Sequence, residues 1–595
     1  MESAYPPLSE YGLVGDCRTA ALISLEGSVD WLCVPSFDAP SLFNRLLDRW
    51  AGGYLAVTPL GARSIRRRYV PGTAVLETEI VCDGGRARAF DFMPALREQD
   101  KRGWLLPFWS LLRVVEGLEG EAVFDVTFRP RPRDCRSQAR VRARGERAAA
   151  VEAHGGLVRL DCACALGVEE RQAAGRLSVR AGRRAAVWLS YTPGPAIMPA
   201  LGQAGLLLDR TVEYWRVWSG KSRYDGPEPE RVRRSALTLK LLSFAPSGAI
   251  VAAPTMSLPE RLGGPRNWDY RYCWLRDAAY TAGTFYRLGY RAEADSFVQW
   301  LMYTTTRTHP RLNVFYDLYG HMRIGERQLK LDGYRGCAPV REGNGASTQR
   351  QLDVYGEVME ALTQYRDAGG RIDRSMLDFI KGTAGYVCKT WDKPDNGIWE
   401  MRLPPRHYVH SKIMCWYALH QAARIGEGAG LASEARRWRA CAEAIKKVIL
   451  TAGWSPRKRS LRQRFDVDGL DGALLLAVGT GLLPADDPRM TGTIDAVARD
   501  LGCGDGLLRR YLVDDGLPAG EGAFLTCSFW HVEALAACGR REEAWRLFER
   551  LQPRGGPLGL FSEEIDPATG LALGNYPQAL CHLSHIDAGW TLGRR

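Results

Sequence analysis

Between about Leu13 and Tyr191, apolar and polar residues alternate in short runs separated by Gly, Pro and Asp. Thr73–Val81, Ala122–Phe128 and Ala185–Tyr191 are examples. Period-two runs at such close intervals predict a mostly antiparallel β domain, because successive side chains of a strand face opposite sides of its sheet. From Leu206 the period lengthens. Asp209 to Trp218 carries its apolar residues at helical spacing, and Gly226 to Pro229 marks a linker before the next helix. Past Arg231 nearly every apolar run is helical. About twelve candidate helices fill the remainder, roughly thirty residues for each helix with its loop, which suits a closed array of helical hairpins. A weak repeat points the same way. Gly289, Gly430 and Gly539 are each followed by a Glu-Ala pair (Glu293-Ala294, Glu434-Ala435, Glu543-Ala544), so each Gly can cap an incoming helix and each Glu sits in the first turn of the next. Gly117 shows the same offset inside the β region, and the flanking amphipathic helices are what set the three apart.

The chain has 595 residues, too many for one ordinary domain, and is 46% hydrophobic with 18 Trp and 23 Tyr, the composition of a globular enzyme or binding protein. Its formal charge of +12 raises nucleic acid as a partner, but the excess of Lys and Arg is spread thinly and no nucleic-acid motif accompanies it. The densest stretch, Arg129 to Arg147, alternates at Arg140, Arg142 and Arg144 and reads as the wet face of an edge strand. Fifteen scattered cysteines, with Cys162-x-Cys164 the closest pair, fit free thiols in a reducing cytoplasm. Met1 to Pro7 lacks the basic and apolar regions of a secretory leader, and the most apolar run, Leu470 to Leu483, is too short to span a bilayer. A cytoplasmic protein without membrane attachment is expected.

The stretch Arg266 to Asp277 interleaves Asp269, Arg271, Arg276 and Asp277 with Trp268, Tyr270, Tyr272 and Trp274. Unpaired charges are costly in a core, and a solvated surface has no need of four large rings. A cleft for a neutral, hydroxyl-rich ligand uses both, with rings against C–H faces and fixed charges against hydroxyls. A sugar is the expected ligand; a structural ion-pair cluster at a helix start is the alternative.

Hydrolysis of a glycosidic bond with inversion takes one protonated carboxyl and one carboxylate, about 6.5–9.5 Å apart. Glu400, in the turn-rich Asp395–Glu400 segment beside Trp399, can be desolvated and kept protonated as the acid. Glu563 or Glu564 is the candidate base, since adjacent carboxylates repel and split in acidity. Asn344, Gln349, Gln351 and Asp353, spread around glycines, suit either hydroxyl recognition or helix capping. Arg406 to Lys412 holds His407 and His410, but nothing completes a metal shell or a Ser-His-Asp triad, and His410 reads as a core hydrogen bonder. No glycine-rich phosphate loop opens a helix.

Together these pieces resemble glycoside hydrolase family 15, the glucoamylase and bacterial trehalase-like enzymes, across nearly the whole chain. The opening Tyr5 to Leu22 and Gly27 to Cys33 look like the amino-terminal domain of the trehalase-like members. Trp268 to Asp277, Gln351-x-Asp353, Gly397 to Glu400 with Arg406-His407, Ser562 to Asp566 and Gly574 to Ala579 recur in the family order. The resemblance implies an N-terminal antiparallel β-sandwich (1–205), a helical linker (206–230) and an all-α (α/α)6 barrel of six hairpins (231–595). It implies Glu400 as general acid and Glu563 as general base. Arg276 and Asp277 would grip the terminal glucose, Trp274, Trp399 and Tyr334 would form aromatic walls, and Arg335, Gln351, Asp353, Arg406 and His407 would complete substrate binding. No cofactor and no metal are implied. The implied activity is exo-acting, inverting α-glucoside hydrolysis releasing β-D-glucose. Trehalose is favoured over malto- or isomalto-oligosaccharides; a disaccharide phosphorylase or a non-catalytic sugar-binding protein are more remote readings.

Overall fold

The computed structural model describes residues 5–594 apart from 102, 103, 138, 195, 196, 199, 323 and 519; the Met1–Ala4 part of the segment read above for a leader lies outside them. The first part of the chain is antiparallel, as the alternation predicts. Its organising strand is Trp109–Arg129. The first half of this strand pairs with Gly85–Phe92 and Arg184–Thr192, and the second half with Tyr54–Pro59 and Gln172–Arg180. The change of partners falls at Gly117 and Gly120, the latter at a φ of 58°, where a side chain would meet the neighbouring backbone. One strand thus belongs to two sheets. The arginine-rich edge is shorter than its alternation suggests, with only Arg142–Ala143 pairing there as a strand among the described residues. The helix Ala204–Ser219 then leads to the second half of the molecule.

Twelve helical segments follow among the described residues: α1 (Pro229–Leu242), α2 (Leu275–Leu288), α3 (Arg291–Thr305), α4 (Val354–Asp367), α5 (Arg374–Thr390), α6 (Val409–Gly428), α7 (Ala432–Thr451), α8 (Ala477–Thr480), α9 (Pro488–Leu501), α10 (Leu525–Ala537), α11 (Arg541–Leu551) and α12 (Ala579–Gly593). The single turn of α8 is extended by a 3-10 helix, Gly472–Leu476. The even-numbered helices close an inner ring in which α2 packs on α4, α4 on α6, α6 on the α8 segment, that segment on α10, α10 on α12, and α12 on α2. Odd-numbered helices lie outside them. The residues explain the sorting. In α10 nearly every side chain is buried, whereas α11 reads REEAWRLFERL, with a narrow apolar stripe and one charged face to water. The repeat glycines stand at left-handed turns, with φ of 91° at Gly289, 76° at Gly430 and 81° at Gly539.

The stretch Arg266 to Asp277 joins the two halves of the molecule. Arg271 is fully buried and pairs with Asp269 through Nε at 2.9 Å and Nη2 at 2.7 Å, while its Nη1 donates to Ala39 O in the β domain at 2.7 Å. Trp31 adds a bond from its indole N–H to Pro254 O. Removing one member of a buried pair strands the other, so Arg271→Ala is expected to cost about 3–5 kcal/mol. Its unfolding midpoint in urea should fall well below that of the parent; an unchanged midpoint would show that the pair does not tie the halves together.

Candidate active site

The inner helices begin at one end of the barrel, where a cleft of about 650 Å³, counting its open mouth, is lined by residues from the helix starts and the loops before them. Trp274, Arg276 and Asp277 come from the start of α2, Phe524 precedes α10, and Gln578 and Leu580 open α12. Along Arg266 to Asp277 the alternation sorts side chains: Asn267, Asp269, Arg271 and Cys273 turn into protein, and Trp268, Tyr270 and Trp274 reach the cleft.

Two of those rings each hold one candidate glutamate. The Trp274 indole N–H donates to Glu400 Oε1 at 2.6 Å, and the Tyr270 hydroxyl donates to Glu563 Oε1 at 2.8 Å, with the two rings edge to face at 5.3 Å. The Asn575 N–H also donates to Glu563, at 3.1 Å. Glu400 sits at a φ of 60°, a left-handed conformation that a glutamate adopts only when its surroundings impose it. Burial raises the Glu400 carboxyl above the ordinary range, while Arg276, Arg402 and the Trp274 N–H pull it back. Glu563 is fully buried. Burial, and then the Glu260 carboxylate, push it up, against Arg510, the Tyr270 hydroxyl and the Asn575 N–H.

Arg276 is fixed by Ile398 O at 2.7 Å and Asp277 at 2.9 Å. Asp353 lies behind it, fully buried with no hydrogen bond to either oxygen among the described residues, and burial raises its pKa against the pull of Arg276. Trp399 donates to Asp471 at 2.7 Å and lines the cleft. Gln351 is buried behind the Glu400 loop, donating to Gln349, whose amide in turn donates to Glu400 O.

Gln351, Asp353 and Glu563 stand behind the residues that line the cleft, and four further expected residues are turned to other parts of the molecule. Tyr334 donates to Pro6 O and packs edge-on against Tyr5, and Arg335 reaches Tyr5 O, so both brace the amino-terminal segment. Arg406 is exposed and faces Asp466 at 3.6 Å, and His407 stacks on Phe465. His410 is buried in a neutral state, forced there by burial and by Arg276, and makes no hydrogen bond among the described residues.

Other lining residues were missed by sequence reasoning. Arg402 follows Glu400 by two positions and stacks over Trp268 at 4.6 Å. Arg510 lies among Glu260, Glu521 and Glu564, bonding Glu260 at 3.0 Å, and Arg266 pairs with Asp515 at 3.0 Å. The carboxylates of Glu260, Glu521 and Glu564 lie within 4.8 Å of one another, a grouping close enough for a metal ion, but the Arg510 guanidinium is their counter-charge here. Proximity to Glu400 could have flagged Arg402; nothing local singles out Arg510.

The chain matches the sequence profile of Glycosyl hydrolases family 15 over residues 226–590 and that of Trehalase-like, N-terminal over residues 2–160. It belongs to glycosyl hydrolases family 15. Among relatives, it is 39% identical to the trehalase of Mycolicibacterium smegmatis, covering 99% of this chain and 91% of that one. It is 37% identical to the trehalase of Mycobacterium tuberculosis over 99% and 90%. The fold is shared with a bacterial glucoamylase solved with acarbose, at a TM-score of 0.74 and 13% identity, covering 98% of this chain and 94% of that one. As a family 15 member the chain is a glycoside hydrolase, built as an N-terminal antiparallel sheet domain followed by an (α/α)6 barrel. No helix among the described residues is long and apolar enough to cross a membrane.

Proposed function

We propose that the protein hydrolyses α,α-trehalose with inversion, Glu400 acting as acid and Glu563 as base. The observation that carries this reading is the pairing of the two glutamates with adjacent rings of one segment, Glu400 lining the cleft at Trp274 and Glu563 buried at the hydroxyl of the cleft-lining Tyr270. A raised, half-buried Glu400 holds the proton that the glycosidic oxygen needs as the C1–O bond breaks. Glu563 takes a proton from the water whose oxygen forms the new bond to C1. Arg276 and Asp277, locked to each other, offer a donor and an acceptor to the hydroxyls of the terminal glucose, and Trp399 and Trp268 give the rings faces to pack on. Likeness to trehalases along the whole chain, the amino-terminal domain included, supports trehalose as the substrate.

Inversion at one of two identical centres releases one β- and one α-glucose. Proton NMR at early times should show both anomers of new glucose in equal amounts. Release of α-glucose alone would mean retention, and glucose 1-phosphate in phosphate buffer would mean phosphorolysis. A panel with maltose and isomaltose ranks the substrates in the same tube.

The pH profile tests the base. Glu563 must be ionised, so rate is lost as pH falls through its pKa. The Tyr270 hydroxyl stabilises the ionised form and lowers that pKa. Tyr270→Phe is therefore expected to move the acid limb of kcat/KM to higher pH, with little change in the alkaline limb, which reports loss of the Glu400 proton. A shift of the acid limb to lower pH, or none, would count against Glu563 as base.

A further inference from the structure

We propose that a second cavity, at the opposite end of the barrel from the active site, binds a small aliphatic cation bearing primary ammonium groups, of the size of a short diamine. This cavity is the larger of the two, about 1080 Å³ counting its open mouth, against 650 Å³ for the catalytic cleft. It lies between the carboxy-terminal halves of the inner helices. Arg287 from the last turn of α2, Ala537 at the end of α10 and Thr591 near the end of α12 line it.

Three features select a cation with a carbon frame. The lining holds three carboxyls, Glu360, Glu533 and Asp587, against one guanidinium, Arg287. The helices that start at the catalytic cleft end here, so their carbonyl ends add partial negative charge. Tyr280, Tyr417 and Trp530 supply ring faces, which attract an ammonium and pack against methylenes.

Hydrogen bonding shows which acceptors are free. Glu360 already accepts from Tyr417 at 2.5 Å, Gln364 at 2.6 Å and Gln421 at 2.9 Å. Asp587 is held by Arg287 at 2.6 Å and Thr284 at 3.0 Å. Glu533 makes no hydrogen bond or ion pair among the described residues, whereas the partnerless Gln364 carbonyl oxygen is sealed from the cavity against Gly283. One free carboxylate does not gather the several oxygen ligands that a divalent metal requires. It matches one ammonium, and the lone pairs left open on Glu360 and Asp587 match a second one along a flexible chain.

Calorimetric titration tests this without any substrate, so its outcome is independent of the trehalase reading. With 1,4-diaminobutane the protein should show saturable binding of one molecule per chain, and with 1,4-butanediol, its neutral isostere, none. Glu533→Gln should weaken diamine binding at least about tenfold. Ala537→Trp, which plugs the mouth from an exposed position, should abolish it even if the first variant folds poorly. Trp530 is left unaltered because its ring also touches Trp399, at 5.9 Å, in the catalytic wall. Trehalose kcat/KM without amine should be unchanged in both variants. Absence of saturable binding, equal binding of the diol, or unaltered binding in the variants would each overturn the proposal.

Discussion

Glu400→Gln is expected to lower kcat for trehalose by roughly 10²–10⁴-fold, the usual worth of a positioned acid. The amide keeps the shape of the carboxyl and can still accept from the Trp274 indole, so the loop with its left-handed Glu400 backbone has no reason to move. Only the transferable proton disappears. The effect should therefore depend on the leaving group. Trehalose departs as a sugar alkoxide that must be protonated; α-glucosyl fluoride departs as fluoride, which needs much less help. The variant should retain most of its rate on the fluoride while losing trehalose turnover, and a melting temperature like that of the parent would exclude a folding cause. Equal losses on both substrates would remove Glu400 from the role of acid.

Glu563→Gln should cost as much, with the opposite selectivity. Activation of water is required whatever the leaving group, so both trehalose and the fluoride should suffer losses of order 10²–10⁴-fold. The substituted amide can keep its oxygen on the Asn575 N–H and turn its NH2 to the Tyr270 hydroxyl oxygen, which then accepts instead of donating, and one charge fewer beside Glu260 and Glu564 relieves repulsion. Stability is thus expected to hold or to rise slightly. Near-normal turnover of the fluoride would shift the base to another acid, with the adjacent Glu564 first in line. Glu564 is less suited by position, because its Oε2 already accepts from Gly522 N–H at 2.7 Å and its Oε1 faces Arg510. The two variants together separate acid from base by substrate choice alone.

Much of the fold was legible because both of its periods are strong. Alternation from Leu13 to Tyr191 and helical spacing past Arg231 follow from which side chains must meet a core, and the repeat glycines are fixed by the left-handed turns between paired helices. The segment Arg266 to Asp277 shows where one-dimensional reasoning stops. Its mixture of rings and charges invited two readings, a sugar cleft or a structural ion-pair cluster, and the chain uses both. Arg271 and Asp269 form the buried pair, and Arg276 and Asp277 reach the cleft. Which charge did which depended on the side to which each residue of a short strand turned, and the sequence places aromatic and charged residues on both sides.

Tyr334, Arg335, Arg406 and His407 illustrate the complementary failure. Their types suit a sugar site, but loops carry them to the amino-terminal segment or to solvent. Arg510 is the reverse, ordinary in sequence and central in space.

By itself the sequence determined the two-part architecture and the class of ligand, and its resemblance to family 15 singled out the pair of glutamates worth testing. The first two depend on periodicity and residue type, which are local properties. The tertiary structure alone decided which ring holds which glutamate, that Arg510 balances the acids around Glu563, and that a second charged cavity closes the other end of the barrel. These rest on contacts between residues hundreds of positions apart, such as Tyr270 with Glu563, and no local pattern encodes the angle at which twelve helices close into a ring.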